Sequence, residues 1–374
     1  MKEDFRSAIR PVLPRPAARW RLALVAALAA VPGFLSPAWA APAATAATAA
    51  APAATPALLD VAAAEARVQA LQRAGDAVVA VQVTATEGAT SAENLGRLRM
   101  GSGVVIGEDG LILTIGYLLL EAETIEVLTP DDRRLPARQV AYDLATGFGL
   151  IRPLVPLIGI EPVPLAGVAA LTPGEPLLAA FAGRGGTEVG FTRLVAVRPF
   201  SGNWEYHIDV ALFTSPPIAN HSGAPLFNRD GELVGIGSLL VREAGGPNRA
   251  LPGNMFVPVE LLQPVLAEMQ ATGRTRASAR PWLGLSSFER DGHVQIVRVD
   301  RWGPSLEAGL QPGDVVLAVD GVEVGTLEAF YKQLWRRPLA DAEIELTVRQ
   351  GPEVRRIKVH AIDRMGTLRK PEGI

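Results

Sequence analysis

Four histidines, His207, His221, His293 and His360, are the only imidazoles in the chain, and it has no cysteine. Acid–base or nucleophilic chemistry near neutral pH therefore rests on those rings, on carboxylates, and on hydroxyls that a ring must activate. A serine hydroxyl attacks a carbonyl at a useful rate only when an imidazole takes its proton and a carboxylate holds that imidazole in the right tautomer. His207 stands two residues before Asp209 in a strand-like run, so the two share a face. A strand-face hydrogen bond or ion pair is the plainer reading of that pair, ahead of catalysis. His221 directly precedes Ser222, and adjacent side chains in such a turn normally point apart. The missing cysteines exclude a thiol nucleophile and thiolate metal sites. No metal cluster, phosphate loop or cofactor motif appears. Gly183-Arg184-Gly185-Gly186 reads as a mobile loop and not as an anion cradle, because no helix start follows it.

The elements that must position these residues are mostly strands. The chain has 374 residues, enough for two domains, and its 37 glycines, 30 prolines and sparse aromatics favour a turn-rich β protein over a helical bundle. Residues 1–40 combine a basic leader, an apolar run from Leu22 to Leu35 and the small–x–small triplet Ala38-Trp39-Ala40, the pattern of a secretory signal peptide. An uncleaved membrane anchor is the alternative. Removing that segment leaves 30 Lys+Arg against 37 Asp+Glu, a net charge of −7, which argues against a nucleic-acid partner. Export without cysteine suits the periplasm. Residues 41–57, nearly all Ala, Pro and Thr, predict a disordered linker. Ala57 to Arg73 predicts a helix, and Thr86 to Arg97 a polar loop. From Gly101 to Val241 short apolar runs alternate with turn signals, the pattern of a sandwich or barrel. Val259 to Ala271 predicts a closing helix ending at Gly273. Arg274 to Arg280 is a polar, basic hinge, and Trp282 to His360 forms a second unit that holds His293 and His360.

The second unit carries Pro304-Ser305-Leu306-Glu307-Ala308-Gly309-Leu310-Gln311-Pro312-Gly313-Asp314. This resembles the PDZ signature SPAxxAGLxxGD, and Val315 to Val324 continues it in register. The resemblance implies a PDZ domain over 281–363, with a tail at 364–374. It further implies a small α+β, partly open barrel that adds an extended peptide as a strand. The peptide carboxylate would sit on the loop Trp282-Leu283-Gly284-Leu285, matching the family's YLGI, with the helix from Leu327 to Leu334 as the groove wall.

The first unit, 58–273, resembles the trypsin-like double β-barrel of the HtrA serine proteases. Gly101 to Thr114 is similar to GSGVIIDxDGYILT, Asn220 to Leu226 to the nucleophile segment GNSGGPL, and Asn254 to Pro258 to GFAIP. The fold class implied is mainly β, a trypsin-like double β-barrel followed by a PDZ domain. On this alignment Ser222 holds the nucleophile position. Tyr117 stands where the family has histidine, and Gly147 where it has aspartate. The oxyanion positions are Asn220 and Ser222. Pro216 and Pro217 remove two N–H donors from the pocket wall.

Losing the base alone costs on the order of 10⁶ in turnover in enzymes of this type. The sequence therefore predicts a proteolytically inactive, exported protein that binds C-terminal or extended peptide segments of envelope proteins. It would act in protein quality control as a chaperone-like factor, an adaptor or a regulator of an active HtrA relative, without cofactor or metal. One alternative is an active endopeptidase that uses Ser222 with an unrecognised base. Another is a structural scaffold that binds nothing. HtrA relatives commonly trimerise through aromatic residues near the start of the protease domain. Residues 58–100 contain no Phe, Tyr or Trp, so the oligomeric state stays open.

Overall fold

A computed structural model describes residues 61–183, 186–337 and 339–369. The proposed signal segment at 1–40, the linker at 41–57, residues 184–185 of the glycine loop and the end of the tail lie outside the described residues.

Helix α1 (Val61–Asp76) leads in and buries Leu71 and Ala74. It rests on the turn at Arg229-Asp230-Gly231, where a Cβ on Gly231 would stand 2.7 Å from the carbonyl carbon of Ala70. Arg67 pairs with Asp230 at 3.0 Å. Six strands then close a first barrel: β1 (Val78–Ala85), β2 (Leu98–Val105), β3 (Ile112–Ile115), β4 (Ala122–Leu128), β5 (Arg134–Tyr142) and β6 (Phe148–Pro153), in the order β1-β2-β3-β6-β5-β4. The alternation in β1 turns Val79, Val81 and Val83 into the core. Between β1 and β2 the expected polar loop includes a single helical turn, α2 (Ala92–Leu95).

A second closed barrel follows: β7 (Pro176–Gly183), β8 (Gly186–Gly202), β9 (Tyr206–Ser215), β10 (Pro225–Phe227), β11 (Leu233–Val241) and β12 (Gly253–Pro258), in the order β10-β11-β12-β9-β8-β7. Its longest pair, β8 and β9, turns over at residues 202–205. Phe148, Phe213, Phe227 and Met255 belong to one fully buried core shared by the two barrels. The helix expected over 259–271 is broken. A 3₁₀ turn covers Val259–Leu261 and α3 covers Leu266–Thr272, because Pro264 has no N–H to continue the ladder. Gly273 ends α3 in the left-handed conformation, φ 81°.

The third body is a seven-stranded sheet in the order β13-β19-β18-β16-β15-β14, with β17 on β16. Its strands are β13 (Pro281–Trp282), β14 (Leu285–Arg290), β15 (His293–Val299), β16 (Val315–Val319), β17 (Val322–Glu323), β18 (Ala342–Gln350) and β19 (Glu353–Asp363). Helices α4 (Pro304–Glu307), α5 (Leu327–Leu334) and α6 (Arg364–Thr367) complete it. Asp320 and Gly321 both have positive φ, 49° and 77°, as a tight hairpin turn requires. Phe330, Tyr331 and Leu334 of α5 pack with Ile296, Leu346 and Val359 in a separate core.

The segment between the barrels and this sheet is pinned. The buried Asp143 carboxylate accepts from the Thr146 amide (2.9 Å) and hydroxyl (2.6 Å), and from the hydroxyls of Thr275 and Ser278 (2.5 Å each). Asp143→Ala strands those buried donors and is expected to cost about 3 kcal/mol. Urea denaturation checks this, and a loss under about 1 kcal/mol would mean that the hydroxyls find new partners.

Candidate functional site

Ser222 sits in the turn between β9 and β10, and neighbouring backbone fixes that turn. The Ser102 amide donates to the Ser222 carbonyl at 2.9 Å, and the Thr114 hydroxyl donates to the Ser102 carbonyl at 2.7 Å. Gly223 has φ +72°, and a Cβ there would lie 2.1 Å from the Ser102 carbonyl oxygen. The segments 101–114 and 220–226 are thus two sides of one contact, which explains why both carry small residues.

The Ser222 hydroxyl meets a phenol. Tyr117, on the 3₁₀ turn Gly116–Leu119, places its Oη 2.8 Å from Ser222 Oγ and 3.0 Å from the carbonyl oxygen of Ser238. A phenol has one proton. Both contacts are satisfied at once when Ser222 donates to the phenol oxygen and the phenol donates to the carbonyl. Burial pushes the Tyr117 pKa above its ordinary value, and the Ser222 contact opposes this in part. The turn carrying Tyr117 is held by the buried Arg99 guanidinium, which donates to the carbonyls of Tyr117 (3.2 Å), Leu118 (3.4 Å) and Leu120 (2.6 Å).

The other family positions lie close by. Gly147 accepts from the Gly116 amide at 2.7 Å and donates to the Asp143 carbonyl at 2.8 Å. Its φ is +86°, and a Cβ there would stand 3.2 Å from Tyr206 Oη. The Tyr142 ring covers Gly116, where a Cβ would come within 2.2 Å of it. Asn220 is exposed and is not one of the six non-glycine residues of positive φ among the described residues. Among the described residues, the Asn220 and Ser222 amides have no protein acceptor.

None of the four histidines bonds to Ser222. His221 turns its Nδ1 to the Ala219 carbonyl (3.0 Å), His293 to the Asp291 carbonyl (2.8 Å), and His360 pairs with Asp341 (3.0 Å). His207 lies between Ser201 Oγ (2.9 Å) and Asp209 (3.3 Å). His207, Asp209 and Glu328 bring ligand atoms within 4.8 Å of one another, but the Lys332 ammonium already lies 2.6 Å from Asp209 and 2.7 Å from Glu328.

In the third body, the loop Trp282–Leu285 turns through Gly284 at φ +79°, where a Cβ would stand 2.9 Å from the Gly303 Cα. Its amides hold a carboxylate, and that carboxylate is Glu205 from the β8–β9 turn. Leu283 N–H donates to Oε2 at 3.0 Å and Leu285 N–H to Oε1 at 2.7 Å. A cleft of about 730 Å³, lined by Tyr117, His221, Leu239, Trp204, Val297 and Arg298 among others, opens between this body and the barrels.

Comparison with known proteins agrees with this division. The profile of the trypsin-like peptidase domain matches residues 101–236, and that of the PDZ domain matches residues 281–360. The chain joins a trypsin-like peptidase domain to one PDZ domain on its C-terminal side. A probable periplasmic serine endoprotease, DegP-like, of Pseudomonas fulva is 31% identical over 240 residues, 59% of this chain and 47% of its own length. Its counterpart in Hahella chejuensis is 26% identical over 274 residues, 68% of this chain and 55% of its own. The chain thus spans about half the length of the curated relatives it matches. Among solved structures, a variant of the HtrA-type protease AlgW with a tripeptide gives a TM-score of 0.52 at 21% identity, covering 82% of this chain and 98% of that one. That likeness speaks to fold alone.

Glu205 is the site residue that sequence reasoning missed. It is buried, at φ 58°, and burial pushes its carboxyl up to about 7 against the opposing pull of the Leu285 and Leu283 amides. Arg280 lies beside it, donating to the Glu205 carbonyl at 3.3 Å and stacking over Trp335 at 3.6 Å. Burial lowers the Arg280 pKa to about 10. Nothing local marks Glu205, because its amide partners stand some eighty positions further along the chain.

Proposed function

We propose that the chain is an exported, periplasmic HtrA-type protein without proteolytic activity, which binds C-terminal or extended peptide segments of envelope proteins through its PDZ domain. The supporting observation is the hydrogen bond between Ser222 and the Tyr117 phenol, at the place where an imidazole would have to stand. A neutral phenol is no base, and its ionised form is rare well below pH 10. Export and periplasmic residence are supported by the leader at 1–40 and by the names of the DegP-like relatives. The role is that of a chaperone-like factor, an adaptor, or a regulator of an active HtrA relative. The structural-scaffold reading gains from one specific observation: the amides expected to take a peptide carboxylate already hold Glu205.

Fluorophosphonate labelling tests the inactive reading, since the probe reacts only with an activated hydroxyl. The expected result is no label on wild type beyond that on Ser222→Ala. Stoichiometric labelling that depends on Ser222 would overturn it.

A further inference from the structure

The PDZ groove is not empty. We propose that it carries a resident ligand, the β8–β9 hairpin tip of the same chain at residues 202–205, and that an external peptide binds only by displacing that tip. This inference rests on the peptide-binding reading above and narrows it.

Each element of the groove is engaged. β14 is an edge strand of the seven-stranded sheet, so its outward amides are open to strand addition. Two of them, at Leu285 and Ser287, donate to the tip, to Glu205 Oε1 at 2.7 Å and to the Asn203 carbonyl at 2.9 Å. From the opposite wall, α5, the Tyr331 hydroxyl donates to the Gly202 carbonyl at 2.7 Å and accepts from the Glu205 amide at 3.3 Å. Lys332 of the same helix pairs with Asp209 just past the tip, at 2.6 Å. The tip thus imitates the ends of a bound peptide, with a carboxylate on the loop amides and a carbonyl on the strand. Glu205 adopts a left-handed φ of 58°, which a glutamate rarely takes and which persists only where surrounding contacts hold it.

The Leu283 and Leu285 amides cannot serve two carboxylates. A peptide with a free C-terminal carboxylate must therefore expel Glu205, and with it break the Asn203, Gly202 and Asp209 contacts. Peptide binding and release of the PDZ domain from the second barrel become one equilibrium.

The test uses the full chain from residue 41, with a library of ten-residue peptides bearing free C-terminal carboxylates. Glu205→Gln replaces one acceptor oxygen with a donor facing an amide N–H. Tyr331→Phe removes both hydrogen bonds of that hydroxyl without touching the loop or the Lys332–Asp209 pair. Peptide affinity should rise at least tenfold in Glu205→Gln and by a smaller factor in Tyr331→Phe. In wild type, bound peptide should speed hydrogen exchange at 202–205 while Leu283 and Leu285 stay protected. If both folded variants bind with wild-type affinity and 202–205 stay protected under saturating peptide, the displacement model is wrong, yet peptide binding stands. If neither wild type nor either folded variant binds any peptide, both readings fall and the scaffold remains.

Discussion

Tyr117→His alone is expected to leave the protein without useful endopeptidase turnover, and the wild type to lie about 10⁶-fold below an active enzyme of this architecture. The deficit expected of the wild type follows from the phenol, whose ionised form is rare near neutral pH and is made rarer by burial. A histidine at 117 would restore a ring but not its orienting carboxylate. In enzymes of this type that second loss alone costs about 10⁴ in turnover. The position that should supply the carboxylate resists it. Gly147 lies at φ +86°, and a Cβ there would approach Tyr206 Oη to 3.2 Å. Aspartate at 147 therefore adds backbone strain of about 1–3 kcal/mol and displaces the Tyr206 hydroxyl from the Thr146 carbonyl, 2.6 Å away. Digestion of a fluorescent unfolded substrate, with Ser222→Ala as background, gives the answer. Turnover in Tyr117→His within a hundredfold of an active enzyme would show that another group orients the ring.

The Glu205 carboxyl should also make stability fall as pH rises. Its ordinary value of 4.5 is raised to about 7 in the folded chain, chiefly by burial. Between those values the folded protein binds a proton that the unfolded one does not. The stabilisation is therefore complete below about 4.5 and is lost as pH passes about 7, a change of roughly 3 kcal/mol from this one group. The charged and titratable groups around it are Arg280, Arg364 and Tyr331. Arg280 keeps its proton across this range, being lowered only to about 10. Carboxyls such as Glu121, Asp131 and Asp209 are shifted down and act in the opposite sense at more acid pH. The difference between wild type and Glu205→Gln isolates the contribution. Urea midpoints at pH 5 and pH 8 should diverge in wild type and converge in the variant; parallel pH profiles would sink the assignment. The same proton linkage makes the hairpin tip easier to expel at alkaline pH.

Much of this architecture was legible in the chain. The alternation of Val79, Val81 and Val83, the hairpin at Arg229-Asp230-Gly231 and the Asp320-Gly321 turn each report local geometry, and local geometry is what spacing encodes. The broken helix at Pro264 was written in the sequence too, though apolar spacing across 259–271 masked it. Tyr117 and Gly147 stand out only against a family pattern, since neither residue type advertises chemistry. What no pattern showed was the company they keep. Tyr142 over Gly116, Tyr206 beside Gly147 and Glu205 on the PDZ amides are pairings across distant segments, made by tertiary packing.

The two barrels meet where Tyr117 of the first touches Ser222 and Ser238 of the second. In a working hydrolase that seam has to pass protons and admit a reacting carbonyl, and such demands commonly hold a site short of its best rigidity. At this spot the phenol acts as a cross-brace, joining the Ser102–Ser222 backbone contact and the shared core in tying one half of the domain to the other. On the proposed inactive reading, selection acting on residue 117 would be for fastening and not for speed.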